Sequence, residues 1–329
     1  MPTACWPTCL SLVSLLGLIT ILGSEGAFAQ PLERAGRLAA VRSWGYQLQS
    51  PSIERLALSP HDLLVIDFSR DGSNEGAFSA DEIRRIREGS GGSGRIVLAY
   101  LSIGEAESYR GYWRWYWGGQ WYSRALGWVF GPPWLGPENR AWRGNFAVRY
   151  WQEGWQRRIL GPGGLLDLIL DAGFDGVYLD KIDSSIEPIA RDRASARDDM
   201  REFVRRIAEK ARSKRPGFVV VPQNGEELLT DDAYIELIDG IGKEDLLYGE
   251  IDEGKPNPES VIARRTELLL RAVARGRTVL AVEYLDDGAA IESSRQRLEG
   301  LGFVPYFADR PLQTLRYGDL PSTAGEFRR

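Results

Sequence analysis

Cysteine and histidine are nearly absent from this chain, and their scarcity removes whole classes of chemistry. The only cysteines among 329 residues are Cys5 and Cys9, both within or beside an apolar N-terminal segment. The rest of the chain therefore has no disulfide, no thiolate metal site and no cysteine nucleophile. A single histidine, His61, cannot build a His-based metal cluster. It precedes the strand-like run Leu63–Phe68, on that strand's entry side, a poor place for the base of a Ser-His-Asp triad. Excess charge of one sign is also missing. The formal net charge is −5, or −4 without Glu25, and no basic cluster interleaves with aromatics to suggest a nucleic-acid partner. One apolar run stands out, Cys9–Gly23, followed by the small-x-small pattern Ala27-Phe28-Ala29. It is too short for a membrane span and reads as a secretory signal peptide over residues 1–29, with an uncleaved N-terminal anchor as the alternative. The mature chain, 30–329, is then expected in the periplasm or the medium, with no membrane association after signal removal.

What is present is a long series of short apolar runs. Eight read as strands: Trp44–Gln49, Leu63–Ser69, Arg95–Ile103, Gly176–Lys181, Gly217–Gln223, Gly240–Glu244, Thr278–Tyr284 and Phe303–Ala308. Most are continuously apolar, as parallel strands covered on both faces are. Helical stretches alternate with them. Asp198–Ser213 spaces Met200, Phe203, Val204, Ile207, Ala208 and Ala211 along one face. Leu165–Ala172 ends at Gly173, and Ser260 is the expected N-cap of a helix that runs to Arg275 and stops at Gly276. Strand–helix alternation repeated eight times predicts an α/β fold, a single (β/α)₈ TIM barrel. The stretch from Gly89 to Gly94 follows a helix and precedes a strand, the reverse of a dinucleotide-binding loop.

A long insert, 107–163, interrupts this alternation after the third strand. Nine of the eleven tryptophans lie between Trp113 and Trp155. Trp113-Arg114-Trp115-Tyr116-Trp117 alternates too strictly for a helix face. Most of these rings are expected to pack the insert's own core, with two to four left to meet the flat faces of sugar rings.

The strand-like runs repeatedly end in Asp, Glu or Asn, at the rim where such barrels do chemistry. Asp67, Glu105, Asp180, Glu226, Glu244 and Glu283 all fall there. With almost no histidine available, a ring of carboxylates points to acid–base work on sugars. A glycosidase needs one carboxylic acid to protonate the leaving oxygen and one carboxylate to attack the anomeric carbon or activate water. Lys181 and Lys243 stand beside Asp180 and Glu244 as charge partners. Two other readings use the same residues: a divalent-metal barrel enzyme with a lysine base, and a non-catalytic polysaccharide-binding protein in which only the aromatic insert matters.

The strings Trp44-Gly45-Tyr46-Gln47-Leu48-Gln49, Val65-Ile66-Asp67, Ala99-Tyr100-Leu101-Ser102-Ile103-Gly104-Glu105, Asp175-Gly176-Val177-Tyr178-Leu179-Asp180 and Pro222-Gln223-Asn224-Gly225 resemble those of the family 114 glycoside hydrolases, which include endo-α-1,4-polygalactosaminidases. The resemblance covers nearly the whole mature chain. It implies a secreted (β/α)₈ barrel that cleaves a galactosamine-rich polysaccharide with retention, endo-acting, with neither cofactor nor metal. It also implies Asp180 as nucleophile and Glu244 as acid/base, with Asp67, Tyr100, Glu105 and Asn224 lining the subsite around the cleaved bond. Tyr178, Lys181, Glu226, Glu283 and Tyr284, at or beside the same strand ends, complete the substrate-binding set. Glu226, in the pair Glu226-Glu227, competes with Glu244 for the acid/base place.

Overall fold

Eight parallel strands carry the fold, and each lies next to its successor along the chain. In the computed structural model, which describes Met1 and residues 33–89, 94–118 and 131–317, they are β1 (Trp44–Gln47), β2 (Leu63–Asp67), β3 (Ile96–Ser102), β7 (Gly176–Asp180), β8 (Val219–Pro222), β9 (Gly240–Glu244), β10 (Thr278–Glu283) and β11 (Val304–Phe307). The first five form one sheet in the order β1-β2-β3-β7-β8, and the last three form another, β9-β10-β11. A parallel bridge between Gln223 and Gly242 joins the two. At the opposite edge Trp44 Nε1 donates to the Val304 carbonyl at 2.9 Å, bringing β1 to β11. All eight strand-like runs of the sequence are strands, seven of them shorter by a residue or more. The trimmed residues, such as Leu48, Ser69 and Lys181, have their backbone turned into the strand-end loops.

Helix α1 (33–39) precedes β1, and α2 (Ile53–Leu58), α3 (Ala80–Glu88), α4 (Glu153–Leu160), α5 (Leu165–Ala172), α6 (Ala196–Lys214), α7 (Asp232–Leu237), α8 (Glu259–Ala274) and α9 (Gly288–Gly300) lie between the strands. The α6 face Met200, Phe203, Val204, Ile207, Ala208 and Ala211 is buried, as its spacing predicts. Gly173 ends α5 in the left-handed conformation, φ 87°. Ser260 is not the cap of α8. Pro258 holds that place with φ −58°, and Ser260 falls in the first turn, because proline presets the entry dihedral. Among the described residues no helix is long and apolar enough to cross a membrane. The segment read as a signal peptide, with Cys5 and Cys9, lies outside the described residues, as do Trp121 and Trp128.

The N-terminal strand ends are tied by carboxylates. Asp62 accepts from the Ser43 amide at 3.0 Å, Asp175 from Val97 at 3.0 Å and Asp239 from Val220 at 2.9 Å. Arg37 and Arg87 neutralise Asp175, and Arg34 and Arg212 neutralise Asp239. His61 lies at this end, with Nδ1 2.7 Å from Ser59 Oγ. Burial, aided by nearby Arg95, pulls its pKa down to about 4, so it is a neutral packing residue.

Between β3 and β7 the chain builds a small antiparallel sheet, β4 (Glu105–Glu107), β6 (Asn145–Val148) and β5 (Leu135–Glu138), in the order β4-β6-β5. It begins at Glu105, two residues earlier than the sequence suggests, because Gly104 turns the chain where a Cβ would lie 2.3 Å from the Lys181 carbonyl. Trp117, Trp134 and Trp155 are buried at its heart, with ring centroids 5.3 Å and 5.1 Å apart. Trp155 Nε1 donates to the Ile103 carbonyl at 2.8 Å, fastening the insert to the end of β3. Trp113 and Trp151 are half-buried, and Trp115 and Trp142 are exposed.

Arg110 is the second fastening. Its guanidinium is wholly buried, bidentate to Asp67 at 2.8 Å on both arms and bonded through Nε to Glu107 at 2.7 Å. Replacing it with methionine strands two buried carboxylates, and a loss of about 3–5 kcal/mol is expected. Urea unfolding of Arg110→Met measures it. A loss under about 1 kcal/mol would mean the insert is held by its tryptophans alone.

Candidate active site

The C-terminal strand ends share an uncommon backbone. Lys181, Asn224 and Asp245 have φ of 63°, 57° and 56°, each at the first turn beyond β7, β8 or β9. Left-handed backbone costs a non-glycine residue about 1 kcal/mol or more. It also reverses the chain at once, so the terminal carboxylate and the residue after it both stay at the rim. Asp180 shows the result: the Lys181 amide turns back to donate to Asp180 Oδ1 at 2.7 Å, while Tyr100 on β3 donates its hydroxyl to Oδ2 at 2.7 Å.

Glu244, at the end of β9, is held by three neutral donors. Gln223 Nε2 reaches Oε2 at 2.7 Å, Asn224 Nδ2 reaches the same oxygen at 3.3 Å, and the Tyr284 hydroxyl reaches Oε1 at 2.6 Å. Asn224 Oδ1 in turn accepts from the Glu244 amide at 3.1 Å. Gln223 is itself steadied by the Tyr46 hydroxyl, 3.2 Å from its Oε1.

Below this pair the interior is aromatic. Trp44, Tyr46, Tyr178 and Tyr306 pack with centroids 5.3–6.1 Å apart. Tyr178, two residues before Asp180 and so on the same face of its strand, fills the space Gly242 leaves: a Cβ there would lie 2.0 Å from the tyrosine oxygen. Its hydroxyl is buried and has no hydrogen-bond partner among the described residues.

Burial separates the rim carboxylates into two kinds. Asp67, Glu105, Glu226 and Glu283 are only 6, 4, 2 and 0% exposed, whereas the Glu244 side chain is 24% exposed and Asp180 is half-buried. The buried four have internal partners. Asp67 belongs to Arg110. Glu105 accepts from Asn139 Nδ2 at 2.9 Å and lies 3.5 Å from Lys181 Nζ. Glu226 lies 3.4 Å from Lys243 and 3.2 Å from Arg265, in a network with Glu227 and Glu250. Glu283 accepts the Leu247 and Tyr248 amides at 2.8 and 3.1 Å, closing the loop after β9. Of the two candidates for the acid, Glu244 is partly exposed and Glu226 is buried.

Burial raises carboxylates on both sides of this division. Burial pushes Asp180 up to about 7, opposed by the Lys181 ammonium and the Tyr100 hydrogen bond and reinforced by the nearby Glu244 charge. Burial pushes Asp183 up to about 6 and Glu283 to about 8. Burial alone would lower Lys181, but Asp183, Glu105 and Glu187 override it and hold its ammonium above the ordinary lysine value.

Three contributors escape sequence reading. Gln223 sits beside Asn224 at a strand end, and its place there was a usable signal. Arg310, beyond β11, grips Asp245 with both arms at 2.8 and 3.0 Å, lies 4.1 Å over the Tyr284 ring and comes within 3.9 Å of Glu244 Oε1. Asn139 comes from the insert. Neither of these two has a local sequence mark, because each meets the site only through the fold.

The fold and most of the sequence have known counterparts. The GH114 glycoside-hydrolase family model matches residues 27–322. An uncharacterised protein of Methanocaldococcus jannaschii is 37% identical over 83% of this chain and 77% of its own length. One of Thermotoga maritima is 33% identical over 92% of this chain and 88% of its own. Among solved structures, the glycoside hydrolase domain of PelA from Pseudomonas aeruginosa superposes with TM-score 0.62 at 17% identity, covering 86% of this chain and all of that domain. Aspergillus fumigatus Ega3, in complex with galactosamine, gives 0.59 at 18% identity, over 84% of this chain and 96% of its own. The chain belongs to glycoside hydrolase family GH114.

Proposed function

We propose that this protein is a secreted, endo-acting, retaining glycosidase that cleaves a galactosamine-rich polysaccharide. Residues 1–29 would serve as its signal peptide, and 30–329 would form one closed (β/α)₈ barrel with the aromatic insert after the third barrel strand. The observation that carries the reading is the contrast at the rim. Among the acids singled out above, Asp180 and Glu244 keep part of their surface exposed and take their hydrogen bonds from neutral donors, while Asp67, Glu105, Glu226 and Glu283 are buried against the protein's own groups. Family membership supports glycoside hydrolysis. Galactosamine is the sugar named with the Ega3 structure, and it supports an amino sugar here.

In the first step Glu244 gives its proton to the glycosidic oxygen while Asp180 attacks the anomeric carbon, leaving a glycosyl ester on Asp180. In the second, Glu244 takes a proton from water, the water attacks the same carbon, and the ester bond breaks. Tyr100 and the Lys181 amide aim Asp180. Gln223, Asn224 and Tyr284 hold Glu244 and face the sugar, with Tyr178 as the floor.

The test is mass spectrometry of products after the purified protein meets de-N-acetylated and N-acetylated galactosamine polymers with a chelator present. Oligosaccharides of mixed length are expected. Tight binding without chain shortening would replace this reading with that of a polysaccharide-binding protein, and products that vanish with the chelator would replace it with a metal-dependent one.

A further inference from the structure

The loop between β5 and β6 carries Arg140, Ala141, Trp142 and Arg143 at its tip, all exposed. Trp142 keeps 51% of its surface open, yet it is not loosely held. The Asn139 side chain fixes the loop from inside: its Oδ1 accepts from the Ala141 amide at 3.0 Å and the Trp142 amide at 3.4 Å. The Asn139 backbone closes the loop on the Asn145 carbonyl at 2.7 Å. The same side chain donates through Nδ2 to Glu105, which neighbours Lys181 and so the residue next to Asp180. One amide thus ties an exposed indole to the edge of the catalytic centre. An indole left in water on a loop braced against a buried carboxylate is a surface prepared for a flat apolar face.

Its flanks state what it prefers. Neither Arg140 nor Arg143 pairs with a carboxylate among the described residues. Two guanidinium groups that no described carboxylate neutralises, set beside a stacking platform, repel a free sugar ammonium, and they donate hydrogen bonds to hydroxyl and acyl oxygens. Nearer Asp180, by contrast, Glu105, Asp183 and Glu187 gather around a cation that the chain supplies itself, Lys181.

We propose that the β5–β6 hairpin tip is a sugar subsite beyond the catalytic centre, in which Trp142 stacks on a neutral, N-acylated or hydroxylated pyranose and Arg140 and Arg143 turn away free-amine units. This rests on the glycosidase reading above, and it commits the substrate to a polymer that is at least partly N-acylated.

The experiment measures binding of size-defined N-acetylgalactosamine and galactosamine oligosaccharides by calorimetry, using the full chain carrying Asp180→Asn so that nothing is cleaved. Trp142→Ala in that background should weaken binding of the longer N-acetylated oligosaccharides about 5- to 10-fold, the size of one aromatic contact. Its melting temperature should be unchanged, since an exposed ring is removed. Arg140→Glu with Arg143→Glu should shift the preference toward the free-amine oligosaccharides. Unchanged affinity in Trp142→Ala overturns the inference, as does a loss confined to the free-amine series, or no binding of either series by the parent. Cleavage by the wild-type chain is scored separately. Binding that depends on Trp142 without cleavage sinks the glycosidase reading and leaves the subsite, and cleavage without that dependence does the opposite.

Discussion

Asp180→Asn abolishes turnover and, above neutral pH, makes the protein more stable. Both effects follow from one carboxylate placed where burial opposes its charge. As the proposed nucleophile it has no substitute, and a loss of at least about 10⁴-fold in kcat is expected. The stability effect needs its sign worked through. Asp180 titrates near 7 in the folded chain, against 3.8 for an ordinary aspartate. Between those values the native state holds a proton that the unfolded state has released, so stability falls as pH rises through that window. Asparagine removes the titration. Full burial would make the gain about 4 kcal/mol at pH near 9, and about 2 kcal/mol is the expectation for a group bordering an open cleft. Near pH 3, where both states hold the proton, the gain should vanish. Thermal melts across that range check it, and the wild-type kcat/KM should lose activity on an acid limb near pH 7. A variant with wild-type turnover, or an equal stability change at every pH, would remove Asp180 from the centre of the site.

Glu244→Gln separates the two chemical steps. On polymer, whose leaving oxygen needs a proton, a loss of about 10²–10⁴-fold is expected. On an aryl glycoside with an acidic phenol the first step proceeds unaided, and the missing base then stalls the second. Intact-protein mass spectrometry should therefore show one sugar on Asp180, and azide should release it. Glu226→Gln is the matched comparison. Its buried carboxylate neutralises Lys243 and Arg265, so the variant should lose stability while keeping the rate on both substrates. A covalent adduct in Glu226→Gln and none in Glu244→Gln would reverse the assignment.

Sequence and structure meet most closely where periodicity is strong. The eight strands were legible because a parallel strand covered on both faces leaves an unbroken apolar run, as in Leu63–Asp67 and Ile96–Ser102, where every residue is buried. Their C-terminal carboxylates were legible for the same reason, since a charged residue ends such a run. Which carboxylates stay partly exposed was not legible. Asp67 and Asp180 read alike along the chain, and only the fold brings Arg110 across from the insert to the first and leaves the second to Tyr100. Ser260 misled because a serine before an apolar run suggests a cap, whereas Pro258 had already set the helix entry. The insert's tryptophans were legible as a class, but their division into buried Trp155 and exposed Trp142 depends on long-range packing.

The cations woven through the rim bear on how a polymer arrives. Arg110 offsets Asp67 and Glu107, Lys181 offsets Glu105, Asp183 and Glu187, and Lys243 and Arg265 offset Glu226, Glu227 and Glu250. These four cations meet eight carboxylates, so a net of about four negative charges remains, felt out to about 8 Å, the screening distance at physiological ionic strength. The acids at the strand ends are therefore only half offset, and the residual field draws a cationic chain toward them and turns away an anionic one. The association rate of a free-amine oligosaccharide, measured by stopped flow, should then fall as salt is raised, while that of an uncharged one stays nearly level.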